Sequence, residues 1–473
     1  MKITKDVISS SSITFGTSGA RGLVSDFSAE VCVAFTLAFL SSISKANRLA
    51  IGIDNRPSSP NMARACISAA EIFGIGVDYY GVVPTPALAY KAQLDSVPAI
   101  MITGSHIPFD RNGLKFYTIA GEINKGEEQA ILQAKVEVPA FQLSPLPKVN
   151  ESARDSYIER YTRVFSHSLL KGKRVGVYQH SSAGRWLYPK LFKALGADVV
   201  ELGFSDQFVP IDTEAVAESD RKQAREWVKQ HELDILFSTD GDGDRPLLAD
   251  DTGEYLRGDI LGLLSAQGLG IEALAVPVSC NTAIEKSGAF RDVVRTRIGS
   301  PYVIEAFKHL SAKHDSVAGF EANGGFLLAT ELNIGNQILS QLATRDAILP
   351  MLGTLLLANG QPLSRLLKTL PQRFTYSDRV KDFPTESSQE IIQKGAKSPD
   401  WLVSKLGFPQ DGVANIDVTD GLRIFLASGD IVHLRPSGNA PELRCYAEAN
   451  DSLRAEALVN RVLSVVKELS IFE

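Results

Sequence analysis

Short apolar runs alternate with amphipathic stretches through most of this chain, and the alternation changes character only near the end. Residues 49–53 predict a compact buried strand, 54–59 a polar loop after it, and 61–73 a helix. A strand over 77–80, a rigid turn from Gly81 to Pro86 and a strand over 99–103 follow. Parallel strands covered on both faces read as continuous apolar runs, so this is a β-α-β rhythm. The rhythm restarts with a strand over 174–178, a helix over 186–195, a strand over 198–202, a helix over 214–230 and a strand over 235–239. A third cycle begins near Tyr255, with strands over 275–279 and 293–298 and a helix over 302–310. Residues 421–434 instead read as two strands joined by a Ser-Gly-Asp turn, an antiparallel hairpin, and 453–469 as a closing amphipathic helix.

The expected fold class is α/β: three similar α/β domains plus a smaller C-terminal α+β domain. Boundaries are placed at 1–148, 149–252, 253–369 and 370–473. They fall in residues 139–148, which carry three prolines, in the Asp250–Glu254 turn, and in the polar stretch 369–382. Length agrees, since 473 residues exceed one ordinary core and about 150 residues per domain gives three or four.

Charge narrows the partners. A net charge of -6 argues against nucleic acid or an anionic membrane surface, so an anionic substrate would need a locally basic site. Cys32, Cys66, Cys280 and Cys445 form no C-x-x-C pair and read as buried thiols of a reducing compartment. The N-terminus lacks the apolar core of a secretory signal, and no apolar run approaches the roughly 20 residues of a membrane span. Residues 31–43 read as a buried helix, and the expected location is cytoplasmic.

Several motifs carry chemistry. Ser105, in Thr103-Gly-Ser-His-Ile-Pro108, follows a strand at the sheet edge where α/β folds place active groups. A serine there can accept a phosphoryl group, whose dianion then needs a cation and donors; a simple turn cap is the plainer reading. Asp240, Asp242 and Asp244 alternate with glycines, so they can converge on one hard cation. An EF-hand would want glycine and glutamate where Arg245 and Asp251 stand. Arg245 beside the cage offers a fork for phosphate oxygens. The segment from Arg435 to Arg444, with Ser437, Gly438 and Asn439, combines two guanidinium forks with a turn able to form an anion nest. Weaker signals are the glycine loop Gly16–Gly22 with Arg21, and Glu321–Gly325, where Glu321 and Asn323 suit sugar hydroxyls. Of the histidines only His106 sits in a motif.

Together and in this order, these segments resemble the α-D-phosphohexomutase superfamily, in its phosphomannomutase/phosphoglucomutase branch. The resemblance covers essentially the whole chain. Its T-[AG]-S-H-x-P, D-G-D-x-D-R and R-x-S-G-x-x-P-x-x-R patterns stand at 103–108, 240–245 and 435–444. It implies four domains around a central cleft, with Ser105 the phosphoserine. Mg²⁺ would be held by Ser105, Asp240, Asp242 and Asp244. The reaction implied is interconversion of hexose 6-phosphate and hexose 1-phosphate through a bisphosphorylated sugar, with hexose 1,6-bisphosphate as activator. Lys115 is the expected general acid/base, assisted by Arg21 and His106, and Arg245 with Mg²⁺ would neutralise charge on the transferring phosphoryl group. Thr17, Ser18, Gly299, Ser300, Glu321, Asn323, Arg435, Ser437, Gly438, Asn439 and Arg444 are the expected substrate-binding set. Ile107, Asn323, Asn439 and Ala440 depart from the family pattern on loops that would touch sugar or phosphate.

Phosphomannomutase activity is the leading expectation, with sugar phosphates as partners and a monomer or homodimer as the assembly. The alternatives are phosphoglucomutase or dual specificity, then phosphoglucosamine mutase, then an inactive cation-binding relative. A nucleotide-dependent kinase is disfavoured, because no Walker A or kinase glycine loop is present.

Overall fold

The computed structural model describes residues 2–16, 18–43, 46–408, 410–437 and 441–469. The apolar runs become the middle strands of three sheets. In the first, Gly76–Val82, Arg48–Ile53 and Ala99–Ile102 lie parallel in that order, and Arg111–Thr118 runs antiparallel beside Ala99–Ile102. The second sheet repeats the order with Asp198–Phe204, Arg174–His180, Ile235–Thr239 and antiparallel Pro246–Ala249. The third repeats it again with Asp292–Thr296, Ala273–Pro277, Val317–Phe320 and antiparallel Phe326–Leu328. Three similar α/β domains are therefore present.

Side-chain alternation explains why the strands read as unbroken apolar runs. Leu49, Ile51 and Ile53 pack with the helices Ala29–Ser42 and Ser59–Phe73. Ala50 and Met101 point the other way, into the core that contains Leu88 of the helix Thr85–Asp95. Successive strand residues face opposite sides, so a strand covered twice must be apolar throughout.

Several boundaries shift by a residue or two, among them the strands expected over 275–279 and 293–298, which are Ala273–Pro277 and Asp292–Thr296, and two differences have a visible cause. The helix expected over 214–230 is Glu218–His231, because the Asp212 carboxylate accepts the N–H groups of Glu214 (3.0 Å) and Ala215 (3.1 Å) and holds a turn there. Pro86, expected in a turn, lies in the first turn of the helix Thr85–Asp95, where its fixed φ and missing N–H are tolerated.

The fourth domain is a five-stranded antiparallel sheet ordered Phe374–Lys381, Glu442–Ala449, Ile431–Pro436, Leu422–Leu426, Val413–Asp417. The expected hairpin is its Leu422–Leu426 and Ile431–Pro436 pair. The helices Thr385–Lys397 and Ser452–Leu469 cover one face. The other face meets the third domain, where Glu448 receives the Thr282 N–H at 3.0 Å. Among the described residues, no helix is long and apolar enough to cross a membrane.

The repeated topology positions the site. In each of the first three domains, the loop between the third strand and its antiparallel partner carries a motif: Ser105, then Asp240–Arg245, then Glu321–Gly325.

Candidate active site

Ser105 sits at φ 55°, in the left-handed region that non-glycine residues seldom occupy. Its N–H donates to Thr103 Oγ1 at 2.7 Å, and its hydroxyl donates to Asp240 Oδ2 at 2.6 Å. The surrounding loop is pinned by a residue that no motif announced. Arg56 is fully buried and donates to the backbone oxygens of Ser105 (2.8 Å), Ile107 (2.6 Å) and Pro108 (2.9 Å). Asp54 fixes that guanidinium through Nε at 3.0 Å. The sequence signal was available: Asp54-Asn-Arg56 leaves a central strand at the same sheet edge as Ser105.

Asp240, Asp242 and Asp244 are all buried, and each offers one carboxylate oxygen within 4.8 Å of the others. Three like charges in a dry loop need compensation. Lys115, also fully buried, donates to Asp242 Oδ2 at 2.6 Å and Asp244 Oδ2 at 2.8 Å. Thr85 Oγ1 donates to Asp242 Oδ2 at 2.7 Å. Arg345 Nε donates to Asp244 Oδ2 at 3.0 Å, and its Nη1 reaches Glu321 Oε2 at 3.2 Å and Ser300 Oγ at 3.3 Å. Arg345 thus ties the acidic loop to the expected sugar loop, and no local pattern in the sequence marks it.

The acidic groups differ electrically. Burial and the charges of Asp242 and Asp244 push the Asp240 carboxyl well above its ordinary range. Burial works the same way on Asp242, but the Lys115 ammonium overrides it and holds that carboxyl low. Arg345 overrides burial at Asp244 in the same sense. Two buried oxygens, Asp242 Oδ1 and Asp244 Oδ1, have no hydrogen-bond partner among the described residues, and Asp244 Oδ1 has only the Arg245 Nε charge at 3.7 Å. Unpaired hard oxygen donors beside a third carboxylate fit a small divalent cation.

His106 and Arg245 meet across this loop. Arg245 Nη1 donates to His106 Nδ1 at 2.9 Å. A guanidinium only donates, so Nδ1 carries the lone pair. Burial and the Arg245 charge hold His106 down to about 3, so the ring is neutral at neutral pH. Arg21 donates to the Ser18 and Thr103 carbonyls at 3.2 and 2.5 Å, and Ser18 donates to Glu122.

The third and fourth domains supply the rest. Gly299, at φ 133°, precedes the helix Ser300–Leu310. Asn323 spends its side-chain oxygen on the Gly325 N–H at 3.0 Å, while its backbone oxygen receives the Thr213 hydroxyl at 2.7 Å. Arg435 and Arg444 stand directly opposite on adjacent strands. Like charges so placed are destabilising without an anion, and Arg444 Nε is buried without a partner among the described residues. Ser437 anchors the loop, its N–H donating to Glu442 O at 2.8 Å. Asp420 bridges the two domains, accepting from Arg435 Nε and the Ile298 N–H, both at 2.9 Å. Thr17, Gly438 and Asn439 lie outside the described residues.

Comparison with known proteins adds independent findings. Family models described as phosphoglucomutase/phosphomannomutase domains I, II, III and C-terminal match residues 12–139, 155–253, 257–374 and 379–465. A phosphomannomutase of Salmonella muenchen is 53% identical over 98% of this chain and 98% of its own length. One from Sinorhizobium fredii is 40% identical over 96% of this chain and 98% of its own. A phosphoglucomutase/phosphomannomutase family protein of Burkholderia thailandensis superposes with TM-score 0.74 at 20% identity, covering 95% of this chain and 97% of that one.

Proposed function

Because this chain belongs to the phosphoglucomutase/phosphomannomutase family, we propose that it is a phosphomannomutase, an intramolecular phosphotransferase that interconverts mannose 6-phosphate and mannose 1-phosphate. The observation that carries the mechanism is the Ser105 hydroxyl donating at 2.6 Å to Asp240 inside a buried triad of carboxylates. In the resting enzyme Ser105 bears the phosphoryl group. A sugar hydroxyl attacks that phosphorus, the Ser105 Oγ–P bond breaks, and a bisphosphorylated sugar forms. The sugar turns over, Ser105 Oγ attacks its other phosphate, and the product leaves with one phosphate. Hexose 1,6-bisphosphate restores any enzyme that has lost its phosphoryl group.

Asp240, Asp242, Asp244 and the phosphoserine would hold Mg²⁺, which neutralises charge on the transferring group. The chain's own groups do the rest. Arg245 stands 2.9 Å from His106, beside Ser105, where it can stabilise the same charge. Neutral His106 accepts from Arg245 and so orients that fork. Lys115 is a buried amine against the acidic loop, and as general acid/base it takes the proton of the attacking sugar hydroxyl and returns one to the sugar oxygen released when Ser105 is rephosphorylated. Arg435, Ser437 and Arg444 grip the phosphate that does not react, which holds the sugar for in-line attack. Glu321, Asn323 and Ser300 would read the ring hydroxyls, with Thr17, Ser18, Gly299, Gly438 and Asn439 completing the proposed substrate set.

The test is turnover with Mg²⁺ and a trace of hexose 1,6-bisphosphate on mannose 1-phosphate, glucose 1-phosphate and glucosamine 1-phosphate, with Ser105→Ala in parallel. Preference for mannose that collapses in Ser105→Ala supports the proposal. Preference for glucose keeps the mechanism and changes the substrate; no turnover on any sugar by folded, phosphorylated protein refutes it.

A further inference from the structure

The face of the fourth-domain sheet that turns from its helices borders a cationic cavity outside the site described above. Its volume is about 1250 Å³. One wall comes from the third domain around Lys286 and Arg295, the other from the strands Val413–Asp417 and Leu422–Leu426. Five basic side chains line it against two acidic ones. Most of these charges are satisfied within the chain. Arg295 Nη2 donates to Glu285 at 2.7 Å, and Arg373 Nε to Glu448 at 2.5 Å.

Lys286 makes no ion pair or hydrogen bond among the described residues, but it is exposed; Arg423 is the buried exception. It is 5% exposed and lines the cavity, yet among the described residues its guanidinium has no hydrogen bond and no ion pair. Asp417 stands opposite it in register but accepts the Thr419 N–H at 2.8 Å and makes no ion pair with it. What Arg423 does touch is the Phe425 ring, 4.8 Å from the guanidinium carbon to the centroid. Burial, with the Arg295 charge beside it, pulls Arg423 down to about 10. A buried guanidinium without a direct hydrogen bond or ion pair is destabilising, and the carboxylates of Glu448, Glu285 and Asp417 act on it only from a distance, so an anion in the cavity would be its direct counter-ion.

The geometry points to a second anion site centred on Arg423, which takes a phosphate-bearing organic anion of nucleotide size. It is separate from the Arg435–Arg444 loop. Arg423 pairs with His433, and the His433 Nε2 contact to Asp420 O at 2.6 Å lies between it and Arg435. A phosphate alone fills little of such a cavity; Ile416, Val418 and Phe425 leave an apolar wall for a ring system. A ligand here spans the seam between third and fourth domains, already tied by Arg297 Nε to Thr419 O at 3.3 Å.

The test is calorimetric titration of the full chain with ADP and with inorganic phosphate. Wild type is compared with Arg423→Gln, Val418→Asp and Arg444→Gln. Val418 is 60% exposed, so an added carboxylate there repels an anion without disturbing the core, and it decides the matter even if Arg423→Gln folds poorly. ADP binding weakened roughly 10- to 100-fold in Arg423→Gln and Val418→Asp, and unchanged in Arg444→Gln, supports the site. Inorganic phosphate should bind more weakly than ADP; equal affinity overturns the nucleotide-sized assignment. Binding lost only in Arg444→Gln places the ligand in the catalytic loop and overturns the proposal, as does no binding to wild type. Mutase turnover of Val418→Asp should match wild type, so this result stands apart from the catalytic proposal.

Discussion

Arg345 is the joint between the acidic loop and the sugar loop, and removing its charge tests that reading most sharply. Arg345→Met leaves Glu321, 5% exposed, as a buried carboxylate without its cation, and leaves Asp244 with Lys115 at 2.8 Å and Arg245 at 3.7 Å. At 3.2 Å the Arg345–Glu321 attraction is about 5 kcal/mol for an effective dielectric constant near 20. Desolvation offsets much of it while the pair is intact, but breaking the pair from one side costs about 3–5 kcal/mol. For a domain of about 120 residues, that is a fall of more than roughly 10 °C in Tm. Glu321→Gln relieves the orphaned charge, so the double variant should be more stable than the sum of the single losses predicts, by about 2–3 kcal/mol. The assay is calorimetric melting of wild type, both single variants and the double variant. It reads stability, so loss of sugar binding at Glu321 does not confound it. Losses that add within about 0.5 kcal/mol would refute the coupling.

Ser105→Ala should take up no phosphoryl group from hexose 1,6-bisphosphate, by mass spectrometry of the intact protein, and should lose roughly 10³-fold or more in kcat; phosphorylation of the variant elsewhere with retained turnover would refute the assignment. Mg²⁺ at 100 times its Kd should stabilise wild type by about 2.7 kcal/mol and Asp242→Ala far less, measured by melting with and without EDTA; equal shifts in both would place the ion elsewhere. Gly241→Ala would put a Cβ 2.7 Å from the Ser105 carbonyl oxygen and 3.0 Å from the Phe208 ring, forcing the serine and acidic loops apart. A misplacement near 1 Å should lower kcat about 10²-fold, which steady-state kinetics reads directly. His180 and His433 are buried, donate Nε2–H to backbone oxygens, have no hydrogen-bond partner for Nδ1 among the described residues, and are each held down by burial to about 4. The unfolded chain binds more protons between about pH 6.5 and 4, so stability falls as pH drops through that window, by up to about 3 kcal/mol per histidine. His433→Gln should flatten that slope in melts across the same range; an unchanged slope would refute it.

By itself the sequence determined the elements, their repetition and the chemistry-bearing loops. Strand periodicity and turn residues are local properties, so the β-α-β cycles and the final hairpin were legible from runs such as 49–53 and 421–434. Ser105, Asp240–Asp244 and Arg435–Arg444 were legible because each motif holds its own residues within a few positions. Burial on both sheet faces, seen as unbroken apolar strands, announced the layered domains. What only the tertiary structure decided is which loops meet and what compensates their charge. Ser105 reaches Asp240 across 135 positions, Lys115 reaches Asp242 across 127, and Arg345 reaches Asp244 across 101. Arg345 and Arg423 carry no local signature, and Arg56 only the one its strand-end position gives, since a buried guanidinium is defined by its partners, or by their absence. Those partners are brought in by the packing of whole domains. Electrostatic balance in a dry site depends on distance in space, and a chain read in order carries no record of that distance until it folds.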